Sequence, residues 1–374
     1  GAFAPFFMRL VYIDIFRGLA IATMILVNFV SLAPKPYSAL DHSPWNGCTL
    51  ADLVFPAFLF VVGLVLPYTL GKYLSFKQKI NFQLYSKIIR RSLILFGLGL
   101  LLNGFYNYDL SNIRILGVLQ RIALCYLFSS VLVLNLSLKQ IKFLCASLLI
   151  FYYLALTYLA LPGHVAGDLS PIGNLGSYID RHILSGDHLY KGGGFHHQGD
   201  PEGLFSTIGA LVTALLGYLT GEWISRQKTN SQTSINLAIM GLVSIVVGGI
   251  WNLFFPINKQ LWTSSYVLHT AGWSLLALAI CYQISQVRKK DNWGKPLEIL
   301  GLNSLFIFIC SVLEIKILVK TNVGEISTYQ WLYEHLFLSW LNQENASLLL
   351  ALLMLLFWSL VAYFLYKRRI FIKI

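Results

Sequence analysis

Charge is scarce in this sequence. Only 12% of its 374 residues are Asp, Glu, Lys or Arg, and 56% are hydrophobic, giving a mean hydropathy of +0.66. An ordinary soluble domain carries about 25% charged residues, so long apolar runs, not a large soluble core, account for the difference. Acidic residues are the rarer sign, 16 against 28 basic, for a net charge of +12. Such an excess can mark a nucleic-acid binder, but here Lys and Arg sit between apolar runs, where a membrane protein keeps its cytoplasmic charge. Cysteine is sparse too. Cys48, Cys125, Cys145, Cys281 and Cys310 are scattered without a CxxC, and four of them lie in apolar runs. That excludes a disulfide framework and a cysteine metal cluster. No internal repeat and no low-complexity tract is apparent.

What the sequence has instead is a series of windows near the roughly 20 apolar residues needed to cross about 30 Å of hydrocarbon. Spans are predicted at 12–33, 50–71, 88–104, 114–136, 141–161, 204–224, 234–255, 261–284, 297–318 and 346–367. The expected fold is therefore an all-α integral membrane bundle of about ten transmembrane helices, a single domain over 1–374 with one long extracytoplasmic loop at 162–203. Segment 325–341 is apolar but short and mixed, and reads as an interfacial or re-entrant helix. Gly1–Phe7 precede Met8 and are read as a cloning remnant outside the fold. The first apolar run is not a cleaved signal peptide, because it holds Asp14, Arg17 and Asn28. Nineteen Lys and Arg fall in one alternating set of loops and seven in the other, with Arg17 and Arg121 inside spans. The basic set belongs in the cytoplasm, which places both termini there.

An ionisable group inside a bilayer costs about 2.5–3.5 kcal/mol on insertion scales, so each needs a partner or a purpose. Asp14 and Arg17 stand at i, i+3 and can pair on one helix face. Arg121 can hold a carboxylate or a phosphate; the alternative is a structural pair with Asp52 or Glu314. Asn28, Asn103, Asn252 and Asn303 can bond neighbouring helices. His42 is the leading catalytic candidate. It lies in a polar turn, DHSPWNG, at an aqueous mouth, where an imidazole can act as a general base near neutral pH. The alternative is a His that only bonds the loop. Asp52 lies about one helical turn beyond WNG and is placed to hold the imidazole. Trp45 reads as an interfacial aromatic, and Asn46-Gly47 as a turn. His182, His188, His196 and His197 with Asp187 and Asp200 lack the helical spacing of zinc enzymes, so no metal is expected. The GGG at 192–194 has no following P-loop lysine.

Several segments together are more specific. RLVYIDIFRGLAIATMILVNF (9–29), HSPWNGCTLADLVFPAFLFVVG (42–63), RILGVLQRIALCY (114–126), DPEGLFSTIGALVTALLGYLTG (200–221) and PINKQLWTSSYVL (256–268) occur in this order. They resemble the membrane domain of heparan-α-glucosaminide N-acetyltransferase and its bacterial relatives, over nearly the whole chain. The resemblance implies transfer of an acetyl group from cytosolic acetyl-CoA to the amine of a terminal glucosamine across the membrane. It implies catalytic roles for Asn28 and His42; Asp52 joins them as a candidate from its place beyond the turn alone. The stretch between Asn28 and His42 (FVSLAPKPYSALDH) departs from the family's pattern. Arg17, Asn46, Gln120 and Arg121 are the candidates for holding acetyl-CoA. The expected partners are this co-substrate, an amino-sugar or glycan acceptor and membrane lipids, with a homodimer as an open arrangement and no nucleic acid. The sequence does not include the large N-terminal lumenal domain of the lysosomal members, so a bacterial inner-membrane enzyme acting on another amino sugar, such as a cell-envelope glycan, is expected. A transporter or flippase of a glycan or lipid intermediate and a sugar O-acyltransferase are the competing readings. The absence of a repeat weighs against a transporter.

Overall fold

A computed structural model describes residues 10–74, 79–289 and 292–372. The Gly1–Phe7 reading, and Arg9, Lys77, Lys290 and Lys373 among the counted cations, lie outside these residues. The helices are α1 (Val11–Val30), α2 (Leu50–Leu64), α3 (Leu66–Thr69), α4 (Gly71–Leu74), α5 (Phe82–Gly104), α6 (Val118–Asn135), α7 (Leu138–Tyr158), α8 (Leu175–Ile183), α9 (Thr207–Ser225), α10 (Ser231–Trp251), α11 (Ser264–Tyr282), α12 (Lys295–Leu302), α13 (Ser304–Lys320), α14 (Thr328–Leu332) and α15 (Gln343–Lys367). The described strands are two-residue β1 (Asn322–Val323) and β2 (Ile326–Ser327), paired antiparallel.

The protein is an all-α integral membrane protein. Among the described residues, eight helical stretches are long and apolar enough to span, and a ninth is the pair α12 and α13, bent by 80°. Helix α5 is 23 residues long, but Lys87, Arg90 and Arg91 occupy its first half. Each predicted span coincides with one of these ten, with shifted ends. The fourth starts at Val118 and not at 114, because Asn103 Nδ2 donates to the carbonyls of Arg114 and Leu116 and holds that stretch as a loop. Capping side chains set other starts: Asn81 accepts from the Leu84 amide and Asn342 from the Asn345 amide, each satisfying an orphan donor of the first turn.

The chain divides into two compact units. One comprises His42–Gln227 and Leu242–Trp273. Within it α2 packs on α9, α5 on α6, and α7 on α9. The α2–α9 crossing is close because a Cβ at Gly63 would lie 1.7 Å from the Ala214 carbonyl oxygen, and one at Gly217 2.0 Å from that of Phe60. Small residues of this kind are how helices approach in lipid, where no hydrophobic force separates protein from solvent. A cluster around Tyr152, Leu156 and Phe255, joined by Phe205, Ile208 and Trp251, fills the end from which the long loop leaves.

The other unit comprises the described residues up to Asp41, Lys228–Gly241 and those from Ser274 onward. Here α1 packs on α12 and α15. Asn303, at the break between α12 and α13, accepts from the Ile372 amide and donates to the Ile370 carbonyl. It thus ties the chain's C-terminal segment to the bend. Asn103, Asn252 and Asn303 therefore bond loop or tail backbone and not neighbouring helices; each sits at a helix end, where unpaired backbone groups are within reach. Helix α15 presents Leu352, Leu356, Leu360 and Phe364 outward, as a lipid-facing helix does.

Candidate active site

The site is built on the first turn of α2. Thr49 precedes the helix and Asp52 is its third residue, so the Asp52 carboxylate reaches back to cap it. Oδ2 accepts from the Thr49 amide at 3.1 Å, the Thr49 hydroxyl at 3.2 Å and the Ser43 amide at 3.1 Å. The Asp52 carbonyl accepts from the Tyr266 hydroxyl at 2.6 Å. These bonds leave Oδ1 for other work. It lies 2.8 Å from His42 Nδ1. Asp52 is 1% exposed and His42 41% exposed, so the carboxylate is shielded and the ring reachable. A carboxylate can only accept. In the tautomer that bonds it, Nδ1 donates and Nε2 carries the lone pair, the atom that can take a proton or attack a carbonyl.

The turn carrying His42 is pinned from two loops. The Gly47 amide, at φ +114°, donates to the Ile257 carbonyl. Asn46 Oδ1 accepts from Asn258 Nδ2 at 3.2 Å. Trp45 donates its indole N–H to the Leu169 carbonyl and packs edge-on to Phe195, so its ring is tied to the long loop. Burial, with the Asp52 charge adding, pushes the Cys48 thiol up to about 12, which disfavours the nucleophilic thiolate.

Sequence reasoning did not nominate Lys259. Its Nζ lies 3.1 Å from His42 Nδ1 and 3.3 Å from Asp52 Oδ1. Burial lowers the pKa of its ammonium, with Asp52 and Glu202 pulling the other way. In PINKQLW Lys259 shares a tight turn with Asn258, and the string by itself does not show where that turn docks. Asn258 shapes that turn by accepting from the Leu261 amide.

A second charged cluster belongs to the same unit. Arg114 pairs with Asp200 and Glu202 and lies over the Tyr190 ring. Burial alone would raise both carboxyls. Asp200 stays raised, while Arg114 and Arg121 hold Glu202 below the usual range. Arg121, in the first turn of α6, is 1% exposed. Its Nη2 donates to Ser206 Oγ and the Gly203 carbonyl, and its guanidinium lies 5.0 Å from the Trp262 ring centroid. Among the described residues no carboxylate pairs with it, neither Asp52 nor Glu314, and its Nε and Nη1 have no hydrogen-bond partner. Glu314 accepts from the Trp358 indole. Gln120 is equally buried, and its Nε2 also lacks a partner among the described residues.

Arg17 and Asn28 belong to α1 in the other unit. Arg17 bonds Asp14 at 3.4 Å. Asn28 is half-buried near the end of α1, with no side-chain hydrogen bond among the described residues. The structure thus brings His42 and Asp52 into contact and joins Asn46 to the His42 turn. Gln120 and Arg121 share one helical turn. His182, His188 and His197 bond backbone carbonyls through Nδ1. No three metal-ligating side chains converge among the described residues.

The catalytic-region model of the heparan-alpha-glucosaminide N-acetyltransferases matches residues 9–175, which include Arg17, Asn28, His42, Asn46, Asp52, Gln120 and Arg121. The mouse heparan-alpha-glucosaminide N-acetyltransferase is 32% identical over 98% of this chain, and the human protein 31% identical over 98%. The chain spans 60% of the length of each of these curated relatives.

Proposed function

The chain is a relative of the heparan-alpha-glucosaminide N-acetyltransferases over nearly its whole length, and from that premise we propose that it transfers an acetyl group from acetyl-CoA to the amine of an amino sugar. The observation that carries this reading is the His42–Asp52 pair, 2.8 Å apart, inside the matched catalytic region. An amine attacks a thioester only when unprotonated. His42 Nε2 takes the proton as the amine nitrogen bonds the acetyl carbon; the C–S bond breaks, and the proton passes to the CoA sulfur. In the covalent variant Nε2 attacks the thioester carbon and the C–S bond breaks to release CoA thiolate; the amine then displaces the acetyl group from Nε2, which takes the amine proton and passes it to the thiolate. Asp52 holds the ring and stabilises the imidazolium.

Asn28, whose amide lacks a bonded partner among the described residues, is the proposed donor to the oxyanion. Arg121 fits the carbonyl end of the co-substrate. Its free N–H groups can receive an oxygen, and its partners Gly203, Ser206 and Trp262 flank the loops that lead to the His42 turn. Gln120 and Asn46 belong to the same end. Arg17, in the first half of α1, serves the nucleotide end. In this reading the amino sugar is taken up extracytoplasmically and both termini are cytoplasmic; the excess of Lys and Arg in one alternating set of loops supports it.

The test is turnover of labelled acetyl-CoA by purified protein against a panel of amino sugars and their hydroxyl analogues. Transfer to an amine is expected; transfer to hydroxyls alone, or none, rejects the reading. A cysteine placed at Ser185 is expected to react with an impermeant maleimide in intact cells, and labelling only after permeabilisation reverses the sidedness.

A further inference from the structure

His42 Nδ1 has one hydrogen-bonding position and two neighbours within reach of it. Asp52 Oδ1 is 2.8 Å away and Lys259 Nζ 3.1 Å away, while Nζ is 3.3 Å from the same Oδ1. A carboxylate only accepts and an ammonium only donates. With a proton on Nδ1, His42 donates to Asp52 and Nε2 keeps its lone pair. With Nδ1 bare, it accepts from Lys259 and the proton sits on Nε2. The two arrangements differ in which nitrogen holds the ring's single proton, and only the first leaves Nε2 able to act as a base.

We propose that Lys259 is a positioning residue for His42, offsetting the charge of Asp52 at the shared Oδ1, so that with the Nδ1 proton held on Asp52 throughout, Nε2 takes the amine proton and gives it up to the CoA sulfur. This rests on the acetyl-transfer reading above. Three features of the site support it. Asp52 Oδ2 is occupied by Ser43 and Thr49, so His42 and Lys259 must share Oδ1. A doubly protonated ring would put two positive charges 3.1 Å apart, and that repulsion drives the proton onward. The Lys259 side chain is only 21% exposed, on a turn fixed by Asn258, so its ammonium is little screened. The groups facing it are Asp52 from α2, His42 and Cys48 from the first loop, and Glu202 from the long loop, the last already engaged by Arg114.

The experiment compares Lys259→Met and Lys259→Arg with the unaltered protein over pH. Without the lysine charge, Asp52 favours the doubly protonated ring. The acidic limb of kcat/KM for acetyl transfer in Lys259→Met is therefore expected to move up by about one pH unit. Transfer on the acidic limb should fall by up to about tenfold, the limit that one pH unit sets, and recover at higher pH; Lys259→Arg should restore most of the profile. A second readout needs no acetyl transfer. Diethyl pyrocarbonate attacks only neutral imidazole, and its rate at His42, followed by peptide mass spectrometry, should show the same upward displacement in Lys259→Met and not in Lys259→Arg. Identical midpoints in monodisperse protein and variants overturn the proposal. If the unaltered protein turns over no acetyl-CoA, the transferase reading fails, and the carbethoxylation midpoints still decide the role of Lys259.

Discussion

Two arginines inside apolar helices are held in opposite ways. Arg17 on α1 bonds Asp14 three residues earlier, and its side chain is 25% exposed. Arg121 on α6 is 1% exposed, has no carboxylate partner among the described residues, and keeps two guanidinium nitrogens unbonded. The first is a local pair that one helix can supply by itself. The second is assembled by chain distant in sequence, from Gly203, Ser206 and Trp262, and it retains unused donors. A buried cation with free N–H groups is costly unless something meets them. The contrast separates an arginine with a carboxylate partner on its own helix from one that keeps unused donors in a buried setting. The His42 turn, in the same unit as Arg121, shows the same pattern: a buried carboxylate, a reachable ring and a lysine brought in from a distant turn.

The sharpest way to break this comparison is at Asp52. Asp52→Asn keeps an acceptor for capping α2, but its amide can donate to Nδ1 and favours the proton on Nε2. Acetyl transfer should fall roughly 10²–10⁴-fold with the melting temperature little changed. A variant with unaltered kcat would reduce Asp52 to a helix cap.

Next in size is a pH effect in the long loop. Asp180 accepts from the Leu204 amide, and burial, with Asp200 adding, pushes its carboxyl up to about 7. A carboxyl whose folded pKa is raised contributes its full stability below the unfolded value and loses it as pH rises through the folded one. Stability should therefore decline between about pH 4 and 7, by a few kcal/mol at most at about 1.4 kcal/mol per unit. Asp180→Asn should flatten that slope in thermal melts; an unchanged slope would assign it to other groups.

Arg121→Lys keeps the charge and loses the planar fork. Acetyl transfer is expected to drop about 10–100-fold, the size of a lost charged hydrogen bond, with the protein still folded. Full activity and unaltered acetyl-CoA affinity would leave only a generic need for charge. Smallest is Asp14→Asn on α1, which should cost about 1 kcal/mol of stability or less, as part-exposed pairs do. A large loss there would erase the difference between the two arginines.

The legibility of the sequence follows the same division. Helix positions were readable because hydrophobic length is a local property; the ends were less so, since Asn103 and the caps decide them. Asp14–Arg17 was readable from spacing alone. His42 and Asp52 were readable as a turn and the first turn of a helix ten residues apart. Lys259 was counted only as one of seven cations on the sparse side, because nothing in PINKQLW says that its turn folds onto DHSPWNG. The Arg114–Asp200–Glu202 cluster was missed for the same reason: long-range contacts leave no period in a single sequence.

The central claim is that His42 carries the chemistry, and His42→Ala tests it most directly. Purified as a monodisperse species that still binds acetyl-CoA, the variant should transfer acetyl roughly 10²–10⁴-fold more slowly than the unaltered protein. A folded, acetyl-CoA-binding His42→Ala protein that transfers at the unaltered rate would contradict the account.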